Sequence, residues 1–163
     1  MSYKLKKYHD NFVNVADTSY SKQAITATGS VIAYNGTEIT YTPDSNAVYV
    51  VYDCNFQVSW DPDSQSSQPC HRLEESTNGG VTWTTINSTR IIEGSQAPFL
   101  SDDYKWHNFH LTFVLNAWTG QRMFRLAGKP HQSSSEYTVG RSYNANNSEG
   151  VGSCPHVSMY SVL

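Results

Sequence analysis

Charge is scarce in this chain. Only 15% of its 163 residues are Asp, Glu, Lys or Arg, and 11 basic against 14 acidic side chains leave a net charge of -3. Proteins that grip nucleic acid through its phosphates carry a basic excess or stripe, so no nucleic-acid partner is expected. The one local basic cluster is Lys4, Lys6 and Lys7, near the start. Cysteine is scarce as well. Cys54, Cys70 and Cys154 cannot all pair within one chain, and their low density excludes a disulfide scaffold, so buried free thiols are the expectation. No apolar run approaches the ~20 residues of a membrane span, and "MSYKLKKYHDNF" lacks the apolar centre of a signal peptide, which points to a cytosolic origin and no membrane partner. Sequons at Asn35, Asn87 and Asn146 carry little weight without a secretion signal. No long stretch keeps a helical period; Thr18 to Lys22 has room for one turn at most.

What the chain does have is aromatic side chains, with 11 Tyr, 6 Phe and 4 Trp. These residue types suit a pleated, half-buried surface, and the chain is expected to be all-β. In "AVYVVYDCNFQVSW", Val48, Val50, Tyr52, Cys54, Phe56, Val58 and Trp60 fall on one side of an extended strand. The other side starts apolar with Tyr49 and Val51, then turns polar with Asp53, Asn55, Gln57 and Ser59. Three turn signals predict hairpins: Asn35-Gly36 within "SVIAYNGTEITYTP", Asn78-Gly79-Gly80 within "EESTNGGVTWTTI", and Thr119-Gly120. The last follows a run with Phe109, Leu111, Phe113, Leu115 and Ala117 on one face and precedes Phe124 and Leu126. The end, "PHVSMYSVL", reads as a strand with Val157, Met159 and Leu163 on one side.

The residues that carry chemistry do not assemble into a motif. Cys70 beside His71 and Cys154 near His156 have zinc-ligand types but lack the CxxC or HxxxH spacing of a built site. Asp61 and Asp63, like Asp102 and Asp103, lack the further acidic positions and closing Glu of a calcium loop. There is no GxSxG, and His, Ser and Asp are scattered without the spacing of a triad. No metal, no cofactor and no enzymatic activity are expected. Three loops stand out, at 61–69, 93–106 and 131–153. The last is long for a compact domain, and such loops are either functional or simple polar flaps. Because it holds Tyr137, Arg141 and Tyr143, types enriched at contact hot spots, it is a candidate ligand or partner loop.

The order of elements, from "EITYTPDSNAVYVVYDCNFQVSW" through "HRLEESTNGGVTWTTI" and "HLTFVLNAWTGQRMFRLAG" to "PHVSMYSVL", resembles the small jelly-roll domains of the tumour necrosis factor and complement globular-head superfamily. The similarity is to the form carried by tailed-phage virion proteins. It implies an N-terminal arm over 1–24, a two-sheet antiparallel jelly roll over 25–163, and a homotrimer. In a trimer, Tyr49 and Val51, with Val114 and Trp118 on the neighbouring element, become the interface, because a second apolar face requires another chain to cover it. The alternative is that the arm or a loop covers Tyr49 and Val51 within one subunit. The arm is too short for a fibre shaft, and Tyr3, Lys4, Lys6, Lys7, Tyr8 and Phe12 suit it to docking on another virion protein such as a major capsid protein. The resemblance therefore implies a capsid decoration or vertex protein located in the virion. A receptor- or host-glycan-binding fibre head, using aromatic residues such as Trp60, Trp106, Tyr137 and Tyr143, is the alternative.

Overall fold

The long alternating stretch forms strand β4 (Tyr49–Trp60), the centre of one of two antiparallel sheets. It is seen in a computed structural model that describes residues 23–26, 30–60, 69–86, 91–92, 105–130, 136–140 and 155–163, with the backbone alone at 60, 91–92 and 105–107. One edge of β4 pairs along its whole length with β8 (Lys105–Asn116), from Tyr49 opposite Asn116 to Trp60 opposite Lys105. The other edge is shared: β11 (His156–Val162) runs beside Tyr49–Asn55, and β10 (Glu136–Val139) beside Val58–Trp60. Beyond β10 lies β1 (Gln23–Thr26), which begins inside the stretch the sequence assigns to the arm.

The second sheet is built on β9 (Arg122–Pro130). It pairs on one side with β5 (Pro69–Ser76) and on the other with β2 (Ile32–Ala33) and β3 (Ile39–Tyr41). The short strands β6 (Thr84–Thr85) and β7 (Ile91–Ile92) continue it beyond β5. The two sheets pack face to face as a sandwich. Val50, Tyr52, Cys54, Phe56 and Val58 of β4 enter the core with Phe109, Leu111 and Phe113 of β8 and Val157 and Met159 of β11. From the other sheet they meet Leu73, Phe124 and Leu126. Each such side chain, fully buried, contributes about 1.5–3 kcal/mol.

Two of the three expected hairpins take another form. β2 and β3 do not pair with each other; both run antiparallel to β9, Ile32 opposite Gly128 and Ile39 opposite Phe124. Asn35-Gly36 is thus a kink within one interrupted strand, with Gly36 at φ 74°. The kink leaves no backbone group of Leu126 unpaired. Its carbonyl accepts from Tyr34 N–H at 2.9 Å and its N–H donates to Thr37 Oγ1 at 3.1 Å, while that hydroxyl donates to the Tyr34 carbonyl at 2.7 Å. A side-chain hydroxyl has replaced the ladder partner, as buried backbone requires. Thr119-Gly120 likewise turns the chain, but across the sandwich, since β8 and β9 belong to different sheets. The Asn78-Gly79-Gly80 turn does join paired strands, β5 and β6. Gly79 and Gly80 have φ of 70° and 85°, and Asn78 Oδ1 accepts from Thr82 N–H while Ser76 Oγ accepts from Gly80 N–H. The stretch 131–153, read as loop from sequence, contains β10, and Leu163 ends the chain exposed rather than in the core.

Candidate interaction surface

Directly paired residues in an antiparallel sheet share a face, so the register of the β4 sheet lays out its outer surface row by row. The first row is Val162, Tyr49 and Asn116; the second is Tyr160, Val51 and Val114. The third row, Ser158, Asp53 and Thr112, is polar, as is the fourth, His156, Asn55 and His110. The outer face is therefore apolar at one end and polar beyond it. Val114 is 63% exposed, Tyr49 45% and Val162 39%, and Val48 and Leu163 lie exposed at the same end, where Val48 N–H donates to the Val162 carbonyl.

Within the expected interface set, only Tyr49 and Val114 stand open to solvent. Val51 is 5% exposed; set between Val114 and Tyr160, it is buried within the subunit and is not left for a partner to cover. Trp118 also turns inward. It packs on Phe124 with ring centroids 4.9 Å apart, meets Tyr41 edge-on at 6.3 Å, and carries the Arg122 guanidinium over its ring at 5.3 Å. It closes the end of the core instead of presenting a face. Between the 42–47 loop and the 117–120 turn opens a cleft of about 390 Å³, lined by Thr42, Asp44, Ser45, Trp118 and Thr119 among others. Its rim is anchored by Ser161 Oγ, which accepts from Asp44 N–H at 3.0 Å and lies 2.8 Å from the Tyr41 hydroxyl.

Tyr137 is also displaced from its expected role. It sits on β10 with 1% exposure, its hydroxyl 2.6 Å from that of Tyr34, and burial pushes its phenol pKa up. It is a core residue. Arg141 and Tyr143 lie outside the described residues, as do Tyr3, Lys4, Lys6, Lys7, Tyr8, Phe12 and Cys154; the backbone alone is described at Trp60 and Trp106. The four residues weighed as a zinc set are not brought together where they are described. Cys70 and His71 are buried on β5, whereas His156 is exposed on the outer side of the opposite sheet. Among the described residues no three His, Cys, Asp or Glu side chains are grouped for a metal ion.

Two polar clusters escaped the sequence reading. On the polar end of the β4 sheet, Asp53 Oδ1 lies 2.6 Å from His110 Nε2 and accepts from the Thr112 hydroxyl at 2.8 Å. A catalytic base oriented by a carboxylate needs its nucleophile at the other ring nitrogen. Here Thr112 instead shares the carboxylate oxygen, which makes the cluster a surface pairing. On the outer face of the second sheet, Glu74 is buried between Arg72 and Arg125, and Arg125 stacks 3.9 Å over Trp83. Alternation places Arg72, Glu74 and Arg125 on one face, Glu74 stands opposite Arg125 in the register, and its carboxylate accepts from Arg72 through Oε1 and from Arg125 through Oε2. Among the described residues these three charges satisfy one another, whereas the apolar end of the β4 sheet stands exposed.

No protein-family model and no curated protein matches the chain. Two crystal structures of a pentameric capsid protein isolated from metagenomic phage sequences are similar at 12% identity with TM-scores of 0.22 and 0.23. They align with 68% and 69% of this chain, which spans 62% and 61% of theirs. The structure of Eiger TNF from S. frugiperda is similar at 10% identity with a TM-score of 0.25, over 80% of this chain and 98% of that one. Scores this low mark no common fold.

Proposed function

We propose that the chain is a non-enzymatic structural protein of a phage particle, a tumour-necrosis-factor-like jelly roll that forms a homotrimer and serves as a capsid decoration or vertex protein. The observation that carries the self-association is the apolar end of the β4 sheet, where Tyr49 and Val162 are exposed in one row and Val114 in the next. Apolar surface that runs across neighbouring strands, with a polar margin supplied by Asp53, Thr112 and His110, has the anatomy of an interface centre and rim. The virion context is supported by the sequence resemblance in the order of the strands. Light scattering on the purified protein tests the assembly: a mass about three times the 18.3 kDa chain is expected, and a stable monomer at micromolar concentration overturns it.

The arm is the proposed docking device. Deleting residues 1–22 spares all of β1, so the truncated protein should keep its β-rich circular dichroism and its trimer. Binding to capsids stripped of the native protein should be lost, because three lysines interleaved with Tyr3, Tyr8 and Phe12 suit a segment that orders on a partner. Co-sedimentation equal to that of the full chain would assign docking to the sandwich instead.

The second reading, a receptor- or glycan-binding head, is favoured by the cleft beside Trp118, whose size suits a small ligand and whose lining offers Asp44, Ser45 and the threonine hydroxyls. Copy number in the particle separates the two, since a decoration protein is abundant and a fibre head scarce.

A further inference from the structure

Away from the Tyr49 patch, one polar chain crosses the core from sheet to sheet. The Tyr34 hydroxyl, in the kink between β2 and β3, lies 2.7 Å from His71 Nδ1 on β5 and 2.6 Å from the Tyr137 hydroxyl on β10. All three side chains are among the largest fully buried ones. The arrangement that satisfies both hydroxyls has Tyr137 donating to Tyr34 and Tyr34 donating to Nδ1, with the imidazole neutral and its proton on Nε2. That nitrogen is buried without a hydrogen-bond partner. The rings of Phe56 and Phe109 pack against the imidazole at centroid distances of 5.2 and 4.9 Å and steep interplanar angles.

Among the described residues the element tied by this chain has few other ties to the second sheet. β10 pairs with β4 over three residues, Tyr137 to Val139, with one more bond from Gly140 N–H to the Gln57 carbonyl. β1 pairs in its sheet with β10, and its Gln23 side chain reaches across to Ala33 and Asn35. We infer that the Tyr137–Tyr34–His71 chain is an acid-sensitive latch, in which protonation of His71 frees β10 and β1 from the second sheet while the Tyr49 end of the sandwich stays closed.

The chemistry of the cage supports a latch. A proton on Nδ1 removes the acceptor of Tyr34, so the chain must reverse and leave the Tyr137 hydroxyl without an acceptor. Among the described residues the new charge finds no counterion. Among the described groups, those facing His71 are phenols from the kink and β10, aromatic rings from β4 and β8, the bare backbone of Gly128 on β9 and the backbone of Ile91 on β7, with the thiols of Cys54 and Cys70 near the phenols. Burial pushes the Tyr34 and Tyr137 phenols and the Cys54 thiol up, so none of these supplies negative charge in acid. Burial likewise pushes the imidazole down to about 3, against an ordinary 6.5. Opening restores the ordinary value. The closed state therefore keeps its full advantage above about pH 6.5 and loses it as the pH falls toward 3.

Hydrogen exchange at single-amide resolution tests this on the full chain. Between pH 7 and pH 4, after correction for intrinsic rates, protection at 23–26 and 137–140 should fall on the order of a hundredfold, as the linkage between opening and protonation requires. Protection of Val50 to Cys54, held by both β8 and β11, should not. In His71→Gln, whose amide oxygen accepts from Tyr34 without titrating, the pH dependence should vanish. The proposal is overturned by an equal fall in that variant, by a uniform fall across both sheets, or by no fall at β1 and β10. Should the variant fail to fold, nitrogen chemical shifts of His71 in the wild-type protein decide: a ring that titrates near 6.5 in the closed protein overturns the latch, and one that stays neutral until the corner opens supports it.

Discussion

Gly128→Ala should lower the melting temperature by roughly 10 °C, far more than the same change at the other glycines whose surroundings are described. A Cβ at this position would stand 1.9 Å from the Tyr34 hydroxyl oxygen and 2.3 Å from that of Tyr137. Neither phenol has room to retreat, since both are buried and bonded to each other and, through Tyr34, to His71. The backbone of Gly128 lies on β9 opposite His71 and Ile32 and is not in the left-handed region, so the cost is steric. Overpacking costs about 1–3 kcal/mol, and a buried hydroxyl driven from its partner costs about 1–3 more. At about 2–4 °C per kcal/mol for a chain of this length, a combined cost of about 2–6 kcal/mol gives a shift of roughly 4–24 °C, with the stated value near its middle. Gly79→Ala is the matched control. It has open space around its Cβ but φ of +70°, so it should cost only about 1 kcal/mol. Combining Gly128→Ala with Tyr34→Phe removes the atom struck first and should recover part of the loss. A Gly128→Ala protein that melts like wild type would mean that the phenols are not fixed where they stand.

The long strands were legible because their sequences announce a period of two. Val50 to Val58, Phe109 to Phe113, and Phe124 with Leu126 are all buried on the faces that alternation assigns. Pairing was less legible, because a turn signal reports a local φ and not where the chain goes next. Gly36 and Gly120 both take the positive φ a hairpin uses, at 74° and 85°; the first serves a kink alongside β9 and the second a passage between sheets. β10 was hidden by its surroundings. Four residues in a stretch rich in Ser, Gly and Asn carry no visible alternation, and only pairing with β1 and β4 makes "EYTV" a strand. Tyr137 was therefore read as a surface hot spot when it is a core residue. The Tyr34, His71 and Tyr137 set could not be read at all, since its members are separated by 37 and 103 positions in sequence. The sign of a site is clearer: the change from Tyr49 and Val51 to Asp53 along one face marks the margin of the apolar patch.

Val114→Lys should convert the proposed trimer to monomer while leaving the fold of each subunit intact. Val114 is the most exposed residue of the patch on the β4 sheet, and among the described residues β8 pairs only with β4, so a lysine there projects from an outer strand into water. Such surface changes alter monomer stability by about 0.5 kcal/mol or less, and lysine is common on strands of this kind. In an assembly that covers the patch, each copy must instead bury an unpaired ammonium or lose contact area around it, at about 2 kcal/mol or more. Threefold symmetry repeats the change in every subunit, for about 6 kcal/mol in all, or roughly four orders of magnitude in the assembly constant. Gln57→Ala, in the polar part of the same face and bonded to Asn108 at 3.3 Å, should leave the mass unchanged. Sedimentation velocity at matched concentration reads the difference, and circular dichroism confirms that the monomer is folded. A Val114→Lys protein that still sediments as a trimer would place the interface elsewhere and leave the exposed patch of Tyr49, Val114 and Val162 for a different partner.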